Sequence, residues 1–215
     1  MSKDFVVIFD LDGTLLNTDL LIHQSFEHTF HTFKPDYQLS EEEHLSFLGP
    51  PLRESFRRYF PEDMIDDLVA CYREHNHTHH QDFVTIYPTV KETLKTLKEK
   101  GYPLAVVTTK YREAAFIGLD LFDISQYFDV VIGGEEVAHS KPHPEGIYRA
   151  MEKVDCHHGV MIGDNVTDIL SGKNAEIYTI GVKWSPKGSK DIEQLKPDLM
   201  IDKMEEIIPF IEGVS

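Results

Sequence analysis

The sequence predicts an α/β fold: a doubly wound parallel sheet, Rossmann-like, with an inserted helical cap domain. Three observations predict it. Short apolar runs recur at residues 5–9, 104–107, 130–132, 159–163 and 178–182, each the length of a buried strand. Helix-periodic stretches alternate with these runs from residue 84 onward, as in a parallel sheet covered on both faces. Residues 16–83, between the first run and the second, show helical periodicity and no convincing strand. The expected division is therefore 1–15 and 84–215 for the α/β core and 16–83 for the cap.

The elements follow in order. Phe5-Val-Val-Ile-Phe9 ends abruptly at Asp10-Leu-Asp12-Gly13-Thr14, a strand followed by a turn. Asn17-Thr18 suits a helix N-terminus. Beyond it Ile22, Phe26, Phe30 and Phe33 form a helical stripe, which Pro35-Asp36 breaks. Ser40 and Glu43 have the spacing of a capping box. Gly49-Pro50-Pro51 ends that short helix, and Leu52 to Tyr59 forms another. Pro61 opens the next helix, with Met64, Leu68 and Cys71 sharing a face. In the core, Val90, Leu94 and Leu97 make a helix closed by Gly101. Helices are further expected over Tyr111–Leu119, His143–Val154 and Thr167–Ala175. Leu199–Ile201 reads as a weak last strand. A closing helix over Met204–Ile211 would carry Pro209 in its middle, a strained position.

Composition narrows the function. The chain has 215 residues, 41% of them hydrophobic, and a formal net charge of −16. That charge excludes a large nucleic-acid footprint. No apolar run approaches the length that spans a bilayer, and the first residues lack the pattern of a secretory leader. Two distant cysteines, Cys71 and Cys156, imply no disulfide framework. A cytoplasmic protein acting on a small anionic molecule, with no nucleic-acid or membrane partner, is the expectation. The oligomeric state is not legible.

The chemistry is concentrated at strand ends. Asp10 and Asp12 follow the first strand, Thr108, Thr109 and Lys110 the second, Ser140-Lys141-Pro142 the third, and Gly163-Asp164 with Asp168 the fourth. A parallel sheet brings such ends to one edge, where ligands bind. Two neighbouring carboxylates do not both ionise cheaply, and a divalent cation with oxygen ligands relieves them. Gly13 permits a sharp turn and close approach to a ligand. Acid pairs, hydroxyl and amine together are an inventory for phosphoryl transfer.

Asp10-Leu-Asp12-Gly-Thr, Thr108, Lys141-Pro142 and Gly163-Asp164-x-x-x-Asp168 resemble, in order, the four motifs of the haloacid dehalogenase-superfamily phosphatases. The resemblance covers the whole core, and residues 16–83 resemble the family's smaller helical cap. Phe47-Leu-Gly-Pro-Pro-Leu-x-Glu-Ser-Phe56, Tyr72-Arg73-x-x-Asn76 and Val107-Thr-Thr-Lys-x-Arg112 are similar to the inorganic pyrophosphatase branch. Members of that branch are associated with pyrophosphate released when the phosphocarrier protein HPr loses its serine phosphate. The chain departs from that branch at Gly133-Gly-Glu-Glu136, at Ser140, and at His143, which stands in place of an acid.

The resemblance implies a set of roles. Asp10 is the nucleophile that forms an acyl phosphate. Asp12 protonates the leaving oxygen and then activates water. Thr108 donates to a phosphoryl oxygen, unless it bonds its own backbone. Lys141 pairs with the phosphoryl group and Asp10. Mg²⁺ is the implied cofactor, held by Asp10, Asp164 and a backbone carbonyl of Asp12. Asp168 is a ligand, an outer acceptor or an acid at a helix N-terminus. Gly13, Thr109, Lys110, Gly49, Arg53, Arg73 and Asn76 are candidate substrate contacts, the arginines suiting phosphate. Phosphoglycolate or another small phosphomonoester is an alternative to pyrophosphate. A non-enzymatic phospho-receiver also remains open, distinguished by holding rather than releasing its phosphate. Closure of the cap over the site is expected from its two-segment linkage. His75, His77, His79 and His80 read as a solvated cap face, and Trp184 as core or interface.

Overall fold

The structure, a computed structural model, describes residues 4–215. The first three residues of the expected core segment 1–15 lie outside them. Among the described residues two compact units are present: one runs up to residue 16 and resumes over 86–215, the other is residues 17–85.

The larger unit is built on six strands: β1 (Val6–Phe9), β4 (Leu104–Val107), β5 (Val130–Ile132), β6 (Gly159–Gly163), β7 (Tyr178–Val182) and β8 (Leu199–Ile201). All neighbours are parallel, in the order β5-β4-β1-β6-β7-β8. The first strand in sequence is thus central, and the chain winds outward from it in both directions. Successive side chains of β1 alternate between faces. Val6 and Ile8 share one face with Ala105, Val107 and Met161, under Ile147 and Ala150 of the helix Glu145–Val154. Val7 and Phe9 are equally buried. Burial on both faces is why these strands read as continuous apolar runs.

Register fixes the functional edge. Phe9 lies opposite Val106 on one side and Ile162 on the other. The residues that follow, Asp10, Thr108 and Asp164, therefore emerge together at the carboxyl ends of three adjacent strands.

Several expectations need correction. Two short strands, β2 (Leu16–Asn17) and β3 (Thr85–Ile86), form a ribbon of their own. Two residues are too few to display a period of two, so the sequence hid them. Pro209 is not strained. The closing helix begins at Ile207 after a 3₁₀ turn over Met204–Glu206. Pro209 then falls in the first turn, where its missing N–H has no intrahelical partner to lose. The helix expected from His143 begins at Glu145. Gly101, at φ 85°, closes the helix Val90–Glu99 with Tyr102 N–H bonded to Leu97 C=O.

The smaller unit packs an aromatic core. Phe26 and Phe30 of the helix Asp19–Phe33 meet Phe47, Phe56, Phe60 and Tyr72, with Phe26 stacked on Phe47 at 3.9 Å between centroids. The Ser40 capping box forms: Ser40 Oγ accepts from Glu43 N–H at 3.3 Å, and Glu43 Oε2 accepts from Ser40 N–H at 2.8 Å. In the helix Ile65–Thr78 the buried face is Ile65, Leu68, Val69 and Tyr72, and Cys71 is only half-buried. His80 is buried, so the histidine-rich segment is not wholly solvated as expected. Among the described residues no helix is long and apolar enough to cross a membrane.

Candidate active site

The site begins where β1 stops. Asp10 N–H is the last sheet bond of that strand, to Ile162 C=O at 2.9 Å. Its carboxylate is buried and its Oδ1 accepts from Lys141 Nζ at 2.6 Å. The same Nζ donates to Asp168 Oδ1 at 2.6 Å and to Val107 C=O at 3.2 Å. Lys141 thus spends its three donors on the ends of β1 and β4 and on the helix Val166–Asn174. Its side chain is only 7% exposed, unlike a solvated loop lysine.

Asp164 follows β6 and completes the cluster. Its Oδ2 accepts from Ser185 Oγ at 2.9 Å, and its Oδ1 from Asn165 Nδ2 at 3.1 Å and Thr14 Oγ1 at 3.3 Å. Asp168 has a double duty. Besides meeting Lys141, its Oδ2 accepts from Asn165 N–H at 2.9 Å, the reciprocal half of a capping box. It is therefore both the acid of a helix N-terminus and an acceptor that orients Lys141.

Carboxylate oxygens of Asp10, Asp164 and Asp168 all lie within 4.8 Å of one another. Burial, against which the Lys141 charge works, raises the Asp10 carboxyl well above its usual range, and the neighbouring acids Asp168 and Asp164 add to the rise. Burial likewise pushes Asp164 up to about 7, helped by Asp168 and opposed by the Ser185 hydrogen bond. Burial works against the Lys141 ammonium, but the charges of Asp10 and Asp168 outweigh it and raise its pKa. Three buried carboxylates facing one ammonium leave negative charge unbalanced. Their all-oxygen donor set fits a hard divalent cation such as Mg²⁺.

Asp12 stands outside this cluster. Its carboxylate meets Lys110 Nζ at 3.0 and 3.3 Å. As a side chain it is not among the clustered metal-ligand candidates, whereas the expectation for a metal concerned its backbone carbonyl. Gly13 adopts φ +86°, and a Cβ there would stand 2.5 Å from Asp164 Oδ2. A side chain there would be strained and would have to displace the Asp164 carboxylate.

Thr108 is buried, and its Oγ1 accepts from Lys110 N–H at 3.2 Å. The hydroxyl proton stays available while the oxygen braces the turn. Thr109 and Lys110 lie on the same turn. The Gly133-Gly134 pair that departs from the pyrophosphatase branch has a local cause. Gly134 N–H bonds Lys110 C=O at 2.9 Å, and a Cβ on Gly134 would stand 2.3 Å from the Thr109 carbonyl oxygen. The loop after β5 thereby holds the loop after β4.

The remaining candidates belong to the smaller unit. Arg53 is exposed and ion-paired with Asp66. Arg73 is exposed on the helix Ile65–Thr78. Asn76 is buried, with its Nδ2 3.4 Å from Ser25 Oγ and 3.5 Å from Tyr72 OH. That amide faces the unit's own interior. Gly49 sits at φ 103° in the turn before the helix Leu52–Arg57.

Sequence reasoning missed Ser185, Thr14 and Asn165. The last two flank recognised motif residues. Ser185 lies beyond β7 with no local signal, and only the fold brings it to Asp164.

Residues 7–182 match the family described as haloacid dehalogenase-like hydrolase. Pyrophosphatase PpaX from Bacillus thuringiensis and from Bacillus cereus is 42% identical over 211 residues, 97% of this chain and 97% of each relative. Among solved structures, a haloacid dehalogenase-like family hydrolase from Streptococcus pneumoniae superposes with TM-score 0.84 at 26% identity, covering 96% of this chain and 97% of its own. A predicted phosphoglycolate phosphatase from Haemophilus somnus superposes with TM-score 0.84 at 25% identity, covering 97% and 98%. With the ordered strand-end residues, the match over most of its length and the shared fold all in agreement, this chain belongs to the haloacid dehalogenase-like hydrolases.

Proposed function

We propose that this protein is a Mg²⁺-dependent phosphohydrolase whose substrate is inorganic pyrophosphate and whose covalent intermediate forms on Asp10. The observation that carries the substrate is the 42% identity to PpaX pyrophosphatases across nearly the whole chain. The chemistry is supported by the different surroundings of the two aspartates. Asp10 is buried and held by Lys141, whereas Asp12 is partly exposed and held by Lys110. Two carboxylates in different settings suit two roles.

Asp10 attacks the nearer phosphorus, and the bond to the bridging oxygen breaks as the bond from the Asp10 oxygen forms. Asp12 supplies the proton to that departing oxygen. It then takes one from the water that cleaves the acyl phosphate, returning Asp10 to its free state. Lys141 fixes the Asp10 carboxylate and offsets charge on the transferring group. Thr108 Oγ donates to a phosphoryl oxygen. Lys110 exchanges its contact with Asp12 for the distal phosphoryl group. Asp10 and Asp164 would hold Mg²⁺, with Asp168 orienting the surroundings. The ion supplies electrostatic stabilisation of phosphoryl charge. The smaller unit, residues 16–83 by the sequence division, acts as a cap that excludes water.

Likeness to the Haemophilus somnus structure favours a second reading, phosphoglycolate as substrate. A phosphate-release screen decides between them, with pyrophosphate, phosphoglycolate, and several sugar and nucleotide phosphates, each with and without Mg²⁺. Preference for pyrophosphate by kcat/KM supports the proposal. Preference for a phosphomonoester overturns the substrate, and absence of turnover overturns the hydrolytic reading.

A further inference from the structure

A second group of metal-binding side chains lies outside the acid cluster. His139, His143 and Glu145 each offer a ligand atom, and these atoms lie within 4.8 Å of one another. The imidazole rings of His139 and His143 face each other at 4.6 Å between centroids, 34° apart. Both histidines are exposed.

The carboxylate of Glu145 organises the group. Its Oε2 accepts from His139 N–H at 3.0 Å and lies 3.2 Å from His139 Nδ1. Its Oε1 accepts from Ala138 N–H at 3.0 Å and from Arg149 at 2.8 and 3.1 Å. His139 Nδ1 and Glu145 Oε2 thus stand at nearly the spacing of two ligands on one zinc ion, so a cation takes both atoms as ligands in place of the proton they share. His143 Nδ1 accepts from Glu145 N–H at 3.2 Å. That N–H is in the first turn of a helix and has no intrahelical partner, so a metal displaces it at small cost.

Donor chemistry sets the class of ion. Two imidazoles and one carboxylate suit Zn²⁺ and its borderline neighbours, with a further position for water. Mg²⁺ prefers all-oxygen sites. Tetrahedral zinc ligands stand about 3.3 Å apart, so exposed side chains need only a small rotation to close on an ion.

We propose that His139, His143 and Glu145 form a site for a Zn²⁺-class cation, separate in chemistry from the Asp10–Asp164–Asp168 cluster, that ties together the two ends of the loop carrying Lys141. The histidines stand two residues before and two residues after that lysine. An ion bridging them closes a short ring around it and restricts the loop.

Calorimetric titration of Zn²⁺ into the full chain in millimolar Mg²⁺ tests the site without reference to turnover. One Zn²⁺ per chain is expected to bind at micromolar concentration. His139→Ala and His143→Ala should each weaken it at least about tenfold, and the double variant should abolish it. His75→Ala/His79→Ala and Asp164→Asn should each retain it. Amide exchange at Ser140 and Lys141 should slow on adding Zn²⁺ to the parent and remain unchanged in the double variant. The site is overturned if no Zn²⁺ binds at micromolar concentration or if binding survives in His139→Ala/His143→Ala. The loop restriction is overturned if exchange is indifferent to bound Zn²⁺.

Discussion

Lys141 Nζ and Asp10 Oδ1 lie 2.6 Å apart, although 131 positions separate them in the chain. Both side chains are more than nine-tenths buried. This ion pair joins the end of the central strand to the loop after β5. Replacing Lys141 by Met leaves Asp10 and Asp168 facing each other with no cation. The expected outcome is loss of turnover by roughly 10²–10³-fold or more. Stability should fall too, since unpairing a buried ion costs about 3–5 kcal/mol. Steady-state kinetics and chemical denaturation check the two effects separately.

Asp12 should matter more to the second half of the reaction than to the first. Under the proposed mechanism, pyrophosphate carries a good leaving group, whereas water attacking the acyl phosphate needs a base. The Asp12→Asn variant is therefore expected to accumulate a phosphorylated chain and to turn over at least about 10²-fold more slowly. Intact-mass spectrometry of enzyme quenched during turnover should reveal the added phosphoryl group, and Asp10→Asn should show none. Unimpaired turnover by Asp12→Asn would remove it from acid–base duty.

Stability without metal should depend on pH through Asp164. Burial, with Asp168 beside it, pushes its pKa up to about 7 from the ordinary aspartate value of 3.8. Between those values the folded protein keeps a proton that the unfolded chain has released. The contribution of Asp164 to folding is thus neutral below the lower value. It becomes progressively unfavourable as pH rises toward the upper one, by about 4 kcal/mol at full ionisation. Asp164→Asn should therefore melt higher than the parent at pH 8 in chelator, and close to it near pH 4. Millimolar Mg²⁺ should reverse the order at pH 8, because only the parent has the carboxylate. Equal melting temperatures in chelator across this range would contradict the assignment.

Ser185 Oγ, at 2.9 Å from Asp164 Oδ2, should orient that carboxylate toward the ion. Ser185→Ala is expected to weaken Mg²⁺ binding about 10-fold or more, with Ser185→Thr restoring part of it. Titration calorimetry with Mg²⁺ reads this directly. An unchanged affinity would reduce Ser185 to packing.

Gly13 offers the sharpest backbone test. Its φ of +86° and the 2.5 Å approach of a Cβ to Asp164 Oδ2 make Gly13→Ala costly twice over. Displacement of Asp164 should weaken Mg²⁺ affinity even where the variant folds with near-parent circular dichroism.

The sequence by itself determined the sheet, the strand ends and the acids, hydroxyl and amines placed there. Strands buried on both faces must be apolar throughout, so β1, β4, β6 and β7 announce themselves locally. Asp10, Thr108 and Asp164 were legible for the same reason, because each stands where an apolar run stops. Tertiary structure decided most of what depends on partners distant in the chain. The pairing of Lys141 with Asp10 was implied by the family resemblance, but tertiary structure added Asp168 as its second partner, set Lys110 against Asp12, brought Ser185 to Asp164, and turned Asn76 into the interior of its own unit. None of these is a local property of the chain. The first three follow from which loops a parallel winding brings to the same edge, and from the burial that makes an unpaired charge there costly; the last follows from packing within the smaller unit.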